Sequence, residues 1–162
     1  MKYQSKNILQ DFEFHDAYFK LKKLDGNTLT ISVQCANIHL NTKQNPYDTD
    51  MEIENAQITF YNLRVMSFEP GVSFKQDSSG NFYTDEPQII YTGEIAEEKL
   101  LNEFRHGTAV FEFGTLDNGN YYFDGAGDEP WFQVQFSFDS AMVEWDEFRK
   151  PAWYEEKPSQ QR

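Results

Sequence analysis

Four carboxylates recur at every second position of one short segment: Asp48, Asp50, Glu52 and Glu54. In an extended strand, alternate side chains point to the same side, so all four would project together at intervals of about 6.6 Å. Such a row repels itself in water unless a cation, a Lys or Arg on a neighbouring strand, or a basic ligand neutralises it. The row therefore predicts either a binding surface for a basic partner or a charged strand edge that deters pairing with another sheet.

A second candidate is Trp131, at the start of the strand-like segment 131–138. In this segment Phe132, Val134, Phe136 and Phe138 share one phase, whereas Trp131 belongs to the polar phase. An exposed Trp close to acidic residues is a suitable anchor for a basic partner. The alternative is that the indole covers a second hydrophobic layer, for example beneath a helix. The predicted partner-binding residues are thus Asp48, Asp50, Glu52, Glu54 and Trp131.

A competing hypothesis places chemistry at His15 and Asp16, because a His beside an Asp can act as a base or a metal ligand. Adjacent residues of a strand point to opposite faces, so the spacing alone does not preorganise this pair. Asp124, in a Gly-rich segment, is a third candidate for the same site. This hypothesis describes a small-ligand or metal-dependent enzyme.

Recognisable catalytic and metal-binding motifs do not accompany these residues. The chain has three His and one Cys, and it lacks a nucleophile elbow, a phosphate-binding loop and a dinucleotide fingerprint. An EF-hand loop is excluded in the acidic row, because Ile53 stands where that loop requires glycine. The Asp- and Gly-rich segment 117–129 offers oxygen ligands for calcium, but it matches no calcium-loop spacing and suits turns equally well. We predict no catalytic residue, no metal and no cofactor.

The charge balance restricts the classes of molecule that this protein is expected to bind. Of 162 residues, 14 are Lys or Arg and 27 are Asp or Glu, which gives a net charge of −13. Nucleic-acid binding requires a basic surface, so this composition argues against it and favours a basic protein partner. The first residues lack the apolar run of a signal peptide, and no segment is apolar enough to span a bilayer. We therefore expect a cytoplasmic protein that does not bind membranes.

The periodicity predicts a mainly β fold with one helix. Two arms, 17–24 and 28–40, flank a turn at Asp25-Gly26-Asn27, and further period-2 segments follow near 51–68, 88–92, 109–114, 121–123, 131–138 and 141–148. Cys35 falls in the second arm and is predicted to be a small core residue. Only the segment ending at Gly107 has helical spacing, with acidic residues at its start and basic residues at its end. Seven or eight neighbouring strands favour an antiparallel β-sandwich or open barrel.

The domain organisation follows from the same pattern. Residues 1–150 are predicted to form a single mainly-β domain, with residues 151–162 as a polar C-terminal tail that Trp153 and Tyr154 are able to hold in place. The segment 71–88, rich in Ser, Gly, Asp and Pro, is predicted to be an exposed excursion with a short strand at most.

The segment Phe14-His15-Asp16-Ala17, which enters the first hairpin, resembles the opening of several small bacterial domains of unassigned function. Some of these look like immunity proteins of contact-dependent or polymorphic toxin systems, and Val143-Glu144-Trp145 is similar to their closing strands. The resemblance implies a cytoplasmic acidic protein that blocks a toxin by binding it. It implies no catalytic residues.

These observations lead to one principal hypothesis and two alternatives. The principal hypothesis is an acidic, non-enzymatic protein-binding module, with an immunity-type inhibitor of a basic toxin as its sharpest form. The first alternative is the small-ligand or metal-dependent enzyme that uses His15 and Asp16. The second is a structural subunit of a homo-oligomer, in which paired chains bury exposed aromatic residues.

Overall fold

The computed structural model of the chain describes residues 1–155. These residues form fifteen β-strands, one α-helix and a short 3-10 turn at Leu9–Asp11. The elements in chain order are β1 (Tyr3–Lys6), β2 (Phe12–Glu13), β3 (Tyr18–Asp25), β4 (Thr28–Gln34), β5 (Asn37–Ile38), β6 (Met51–Glu54), β7 (Ala56–Tyr61), β8 (Arg64–Pro70), β9 (Lys75–Gln76), β10 (Phe82–Tyr83), α1 (Gly93–His106), β11 (Thr108–Thr115), β12 (Tyr121–Ala126), β13 (Phe132–Ser137), β14 (Ser140–Trp145) and β15 (Glu147–Pro151).

The strands form two principal antiparallel sheets. The large sheet has nine strands in the order β1-β14-β7-β4-β3-β11-β12-β13-β8, and the small sheet has four in the order β15-β6-β5-β2. A separate two-stranded ribbon consists of β9 and β10. The predicted fold class, mainly β with antiparallel sheets and one helix, is confirmed. The sheets do not close into a barrel, and the arrangement is consistent with a β-sandwich.

The two sheets are joined where single chain segments bend from one into the other. Cys35 and Ala36 separate β4 from β5, Asn55 separates β6 from β7, and Asp146 separates β14 from β15. Cys35 and Asn55 adopt left-handed backbone conformations, with φ of 59° and 53°. Such bends carry strands from one sheet to another at a corner. The predicted core position of Cys35 is wrong, because the bend exposes its side chain to solvent.

The core is a single cluster of buried side chains contributed by the large sheet, the small sheet and α1. Period-2 alternation sends one set of side chains inward, and Phe123, Phe132 and Val134 are fully buried there. The helix adds its own apolar stripe, with Ala96, Leu100, Leu101 and Phe104 all buried. It contacts β3 and β8, so it covers the sheet near the edge strand β8.

The ends of the helix match the sequence pattern. Gly107 terminates the helix with φ of 97°, and its N–H donates to the Glu103 carbonyl at 2.8 Å. A β-carbon at this position would lie 2.0 Å from the Tyr18 hydroxyl, so the cap also requires glycine for space.

Other predicted elements differ from the structure in detail. The hairpin turn between β3 and β4 forms as predicted, with Gly26 in the left-handed region. The segment 88–92 is not a strand, since it contributes only an isolated bridge between Tyr91 and Phe68. Fifteen strands form instead of seven or eight, because bends divide the predicted segments 28–40, 51–68 and 141–148. In addition, β1 and β2 were not predicted, and the excursion 71–88 contains two short strands rather than one at most.

The chain beyond position 150 begins with ordered structure. Strand β15 ends at Pro151, Ala152 is fully buried, and its N–H donates to the Asp50 carbonyl at 2.9 Å. Residues 156–162 of the predicted tail lie outside the described residues. The described residues contain no helix with the length and apolar character needed to cross a membrane.

Candidate partner-binding surface

The acidic row predicted from the sequence begins in a loop and continues along β6, at the centre of the small sheet. Asp48 is exposed in the loop that precedes the strand. Asp50 is only 5% exposed, and its carboxylate accepts three hydrogen bonds: from the Leu40 N–H at 2.7 Å, the Tyr154 hydroxyl at 2.8 Å and the His39 ring at 2.8 Å. This carboxylate is therefore committed to contacts within the fold.

Hydrogen bonding governs the charge state of Asp50. Burial alone raises the pKa of this carboxyl, but the Leu40 N–H, His39 and Tyr154 all favour the ionised form and together hold the pKa below its usual value. The pKa of the Tyr154 hydroxyl moves upward, because the residue is desolvated and donates to the Asp50 carboxylate. The pair fastens the segment after β15 to the segment before β6.

The other two carboxylates of the row are neutralised from β15. The Arg149 guanidinium contacts Glu52 through Nη1 at 2.9 Å and Glu54 through Nε at 2.9 Å. Lys150, which pairs with Glu52 in the strand register, brings a second cation to 3.9 Å. The hydrogen bond to Glu52, followed by the charges of Glu52 and Glu54, raises the pKa of Arg149. Glu52 and Glu54 thus have an intramolecular counter-charge, which the sequence did not reveal because β15 is almost 100 positions away.

A second row of acidic side chains crosses the outer face of the large sheet. The register pairs Glu112 of β11 with Asp124 of β12, Asp124 with Gln133 of β13, and Gln133 with Glu69 of β8. Directly paired residues of antiparallel strands share a face and lie about 5 Å apart. The row therefore runs perpendicular to four strands, on the side opposite the buried Phe123.

Neutral donors contact this outer row. The Tyr122 hydroxyl donates to Glu112 at 2.5 Å, and the Gln133 amide donates to Asp124 at 2.9 Å. The hydrogen bond to Glu112 is the main reason that the pKa of Tyr122 is raised. Within residues 1–155, no Lys, Arg or His lies within ion-pairing distance of Glu112, Asp124 or Glu69. The outer row, defined by these three carboxylates, therefore keeps its negative charge unpaired.

Trp131 lies on the same outer face, two positions before Gln133. It is 39% exposed, and its ring packs over Gly71, whose N–H donates to the Trp131 carbonyl at 2.8 Å. A β-carbon on Gly71 would lie 2.7 Å from Cε3 of the indole, so only glycine allows this packing. Trp131 is thus at the surface, which is one of the two positions that the sequence left open for it.

A groove of about 670 Å³ begins at Trp131 and continues along the excursion that follows β8. We call it the aromatic groove; it is lined by Glu69, Pro70, Gly71, Val72, Ser73, Phe74, Thr84, Glu86, Gln88, Pro130 and Trp131. Phe74 is 67% exposed, which is unusual for a side chain of that size. Since Glu69 belongs to both features, the groove and the outer row form one continuous surface.

The residues of the enzyme hypothesis occupy a structural bend. His15 and Asp16 lie between β2 and β3, and Asp16 has φ of 66°, so the pair belongs to the corner between the sheets. The Asp16 carboxylate lies 3.2 Å from Nδ1 of His15, and both side chains are more than half exposed. Asp124 instead contacts Gln133. Among residues 1–155, no group of three or more His, Cys, Asp or Glu side chains is arranged to hold a metal ion.

No protein-family model, curated protein or solved structure matches this chain. The surfaces described above are therefore the basis for a functional assignment.

Proposed function

We propose that this chain is a non-enzymatic protein-binding module that docks onto a basic partner through the outer row and Trp131. The observation that carries the proposal is the unpaired outer row beside an exposed Trp. The partner would supply the cations that the fold itself provides to Glu52 but not to Glu112 and Asp124.

The outer row is energetically unfavourable in the free protein. Like charges directly opposite each other on neighbouring strands are destabilising. Glu112 and Asp124 form such a pair, and two neutral donors only partly offset their repulsion. A basic partner removes this repulsion on binding, and the net charge of −13 accelerates its approach.

The sharper form of the proposal is an immunity-type inhibitor that covers the basic surface of a toxin. Its support is the resemblance of Phe14-His15-Asp16-Ala17 and Val143-Glu144-Trp145 to such domains, together with the acidic composition. Many toxins that act on nucleic acids carry a basic surface, as polyanion binding requires. A module of this kind inhibits the toxin by covering its nucleic-acid-binding surface, so it needs no catalytic group.

The test compares two variants with the same net charge. The first, E112Q/D124N, neutralises two carboxylates of the outer row; the second, E94Q/E97Q, removes two exposed carboxylates of α1, outside β8 and β11–β13. A basic protein is first recovered from lysate of the native cell at low salt, purified, and then measured against both variants. We expect the association rate to fall about tenfold for E112Q/D124N at low ionic strength and much less for E94Q/E97Q, with the difference disappearing at high salt.

Equal association rates for the two variants would contradict the proposal, because net charge alone would then explain the binding. Turnover of a small molecule by the purified protein, abolished by replacement of His15, would favour the enzyme hypothesis instead.

A further inference from the structure

We propose that the aromatic groove receives an arginine side chain from an extended segment of the partner, with the guanidinium stacked on Trp131 and paired with Glu69 and Glu86. This inference rests on the proposed function, because it names the part of the basic partner that the surface recognises. It adds a chemical specificity that the outer row alone does not provide.

The two carboxylates of the groove are oriented and still have free acceptor capacity. Oε2 of Glu86 accepts the Ser73 N–H at 3.0 Å, and Oε1 of Glu69 accepts the Gln88 amide. Each hydrogen bond uses one carboxylate oxygen. Oε1 of Glu86 and Oε2 of Glu69 accept no hydrogen bond from residues 1–155. Neither carboxylate forms an ion pair there, although Asp85, next to Glu86, pairs with Lys75 at 2.7 Å.

Arginine fits this combination better than lysine. A guanidinium is planar, stacks on an indole, and presents a fork of N–H donors that a carboxylate accepts in parallel. Lysine offers a compact, strongly hydrated charge that gains less from a flat aromatic surface. The groove supplies both components, since the exposed indole of Trp131 lines it together with Glu69 and Glu86. Its volume is within the range of about 300–1,000 Å³ that specific binding sites occupy.

Charge decides between a basic partner and a second copy of this chain. Several large apolar side chains in and after the excursion are exposed, among them Phe74, Phe82 and Ile90. Their burial would favour any partner, including another copy. A second copy also carries a net charge of −13, however, so its approach to Glu69 and Glu86 is repulsive. A cationic segment gains from the apolar surface and from the carboxylates alike.

The three Trp side chains permit a direct test by NMR. Trp131 is exposed in the groove, Trp153 is 54% exposed elsewhere, and Trp145 is fully buried. The labelled protein is titrated with acetyl-Gly-Arg-Leu-Arg-Gly-amide, with the Lys counterpart and with free arginine. We expect the Arg peptide to shift the indole N–H signal of Trp131 alone and to bind about tenfold more tightly than the Lys peptide. We expect free arginine, which lacks the flanking chain, to bind more weakly than the Arg peptide.

Two single variants test whether each carboxylate contributes to binding of the Arg peptide. E86Q and E69Q should each lower the affinity for the Arg peptide by about threefold to tenfold, whereas E97Q, on the helix, should leave this affinity unchanged. Signal dispersion in the NMR spectrum verifies that each variant is folded. The wild-type titration needs no variant and therefore tests the proposal even if one of them fails to fold.

Several results would overturn the inference. These are equal affinity for the Arg and Lys peptides, equal shifts of Trp131 and Trp153, or no shift at millimolar peptide. A Trp131 signal that shifts with protein concentration, together with dimers in sedimentation, would assign the groove to a second copy. If the Arg peptide does not bind while E112Q/D124N still slows association with the basic partner, the inference about arginine is wrong and the proposed function is still supported.

Discussion

The contact between Tyr154 and Asp50 tests whether the end of the described chain belongs to the cooperative fold. We consider the substitution Tyr154→Phe, which keeps the aromatic ring and removes only the hydroxyl. In the wild type this hydroxyl donates to the Asp50 carboxylate at 2.8 Å, and Asp50 is 5% exposed. Hydrogen bonds to charged groups contribute about 1.5–3 kcal/mol to stability. Because Tyr154 is 39% exposed and water competes for its hydroxyl, we expect Tyr154→Phe to lower the free energy of unfolding by about 1–2 kcal/mol at pH 7.

The pH dependence of this loss follows from the charge state of Asp50. The pKa of the carboxyl is lowered in the folded protein, so its stabilising contribution is complete above the unfolded-state value of about 3.9. That contribution disappears as the pH falls through the folded-state pKa, because a protonated carboxyl no longer attracts the Tyr154 hydroxyl as strongly. The cost of Tyr154→Phe should therefore be constant between pH 5 and pH 8 and should decrease below about pH 4.

Urea unfolding monitored by Trp fluorescence measures this effect. The matched control is Tyr83→Phe, since Tyr83 is exposed and its hydroxyl has no recorded hydrogen bond among residues 1–155. We expect the control to change stability by less than about 0.5 kcal/mol. A loss below that value for Tyr154→Phe would show that the segment after β15 opens independently of the domain. A loss that is the same at pH 3 as at pH 7 would refute the role of the ionised Asp50.

Two further predictions concern a buried carboxylate and a bend. Glu103 is 1% exposed, and both of its oxygens accept backbone N–H groups of the loop after β12. Burial raises its pKa, so the contribution of Glu103 to stability should fall as the pH rises from about 4 through that pKa. Glu103→Gln should remove this pH-dependent contribution and lower the free energy of unfolding by roughly 1–2 kcal/mol at pH 7, measured by urea unfolding at several pH values. An unchanged pH dependence of stability would refute the role of Glu103. At the corner, where φ is 66°, Asp16→Gly should preserve the thermal midpoint, and Asp16→Val should destabilise the fold by roughly 1–2 kcal/mol; equal midpoints for the two variants would contradict the role of the bend.

Local periodicity was sufficient to predict the elements that depend on neighbouring residues. Phe132, Val134 and Phe136 alternate in the sequence and are buried in the structure, because a pleated strand turns every second side chain inward. The helix required only the spacing of its apolar stripe and the terminal Gly107. The corner between the two sheets was harder to predict from the sequence, because nothing in the composition of β4 and β5 distinguishes a bend at Cys35 from a bulge within one strand.

The candidate site depended on contacts between distant parts of the chain. Arg149 neutralises Glu52 from 97 positions away, and this pairing decides that the predicted acidic row is largely satisfied within the fold. The outer row arises only when the register brings β8 beside β13, so that Glu69 aligns with the acids of β11 and β12. A single sequence shows polar phases in these strands but not which strands are neighbours. For Trp131, local phase indicated a surface position without excluding burial beneath a helix, so its exposure of 39% was known only from the structure.

The two acidic rows show why the placement of cations matters more than the total charge. The first row runs along β6 and the loop before it, the outer row crosses four strands of the large sheet, and each carries at least three carboxylates. The fold directs Arg149 and Lys150 to the row on β6, whereas the outer row receives only Tyr122 and Gln133 as donors. Neutral donors orient carboxylates without cancelling their charge, so the outer row keeps its attraction for an incoming cation. An exposed indole beside that row adds accessible apolar area next to the unpaired carboxylates. Unpaired charge, fixed geometry and accessible aromatic surface coincide there, and this coincidence is why we assign the binding function to the outer row rather than to the more conspicuous acids of the sequence.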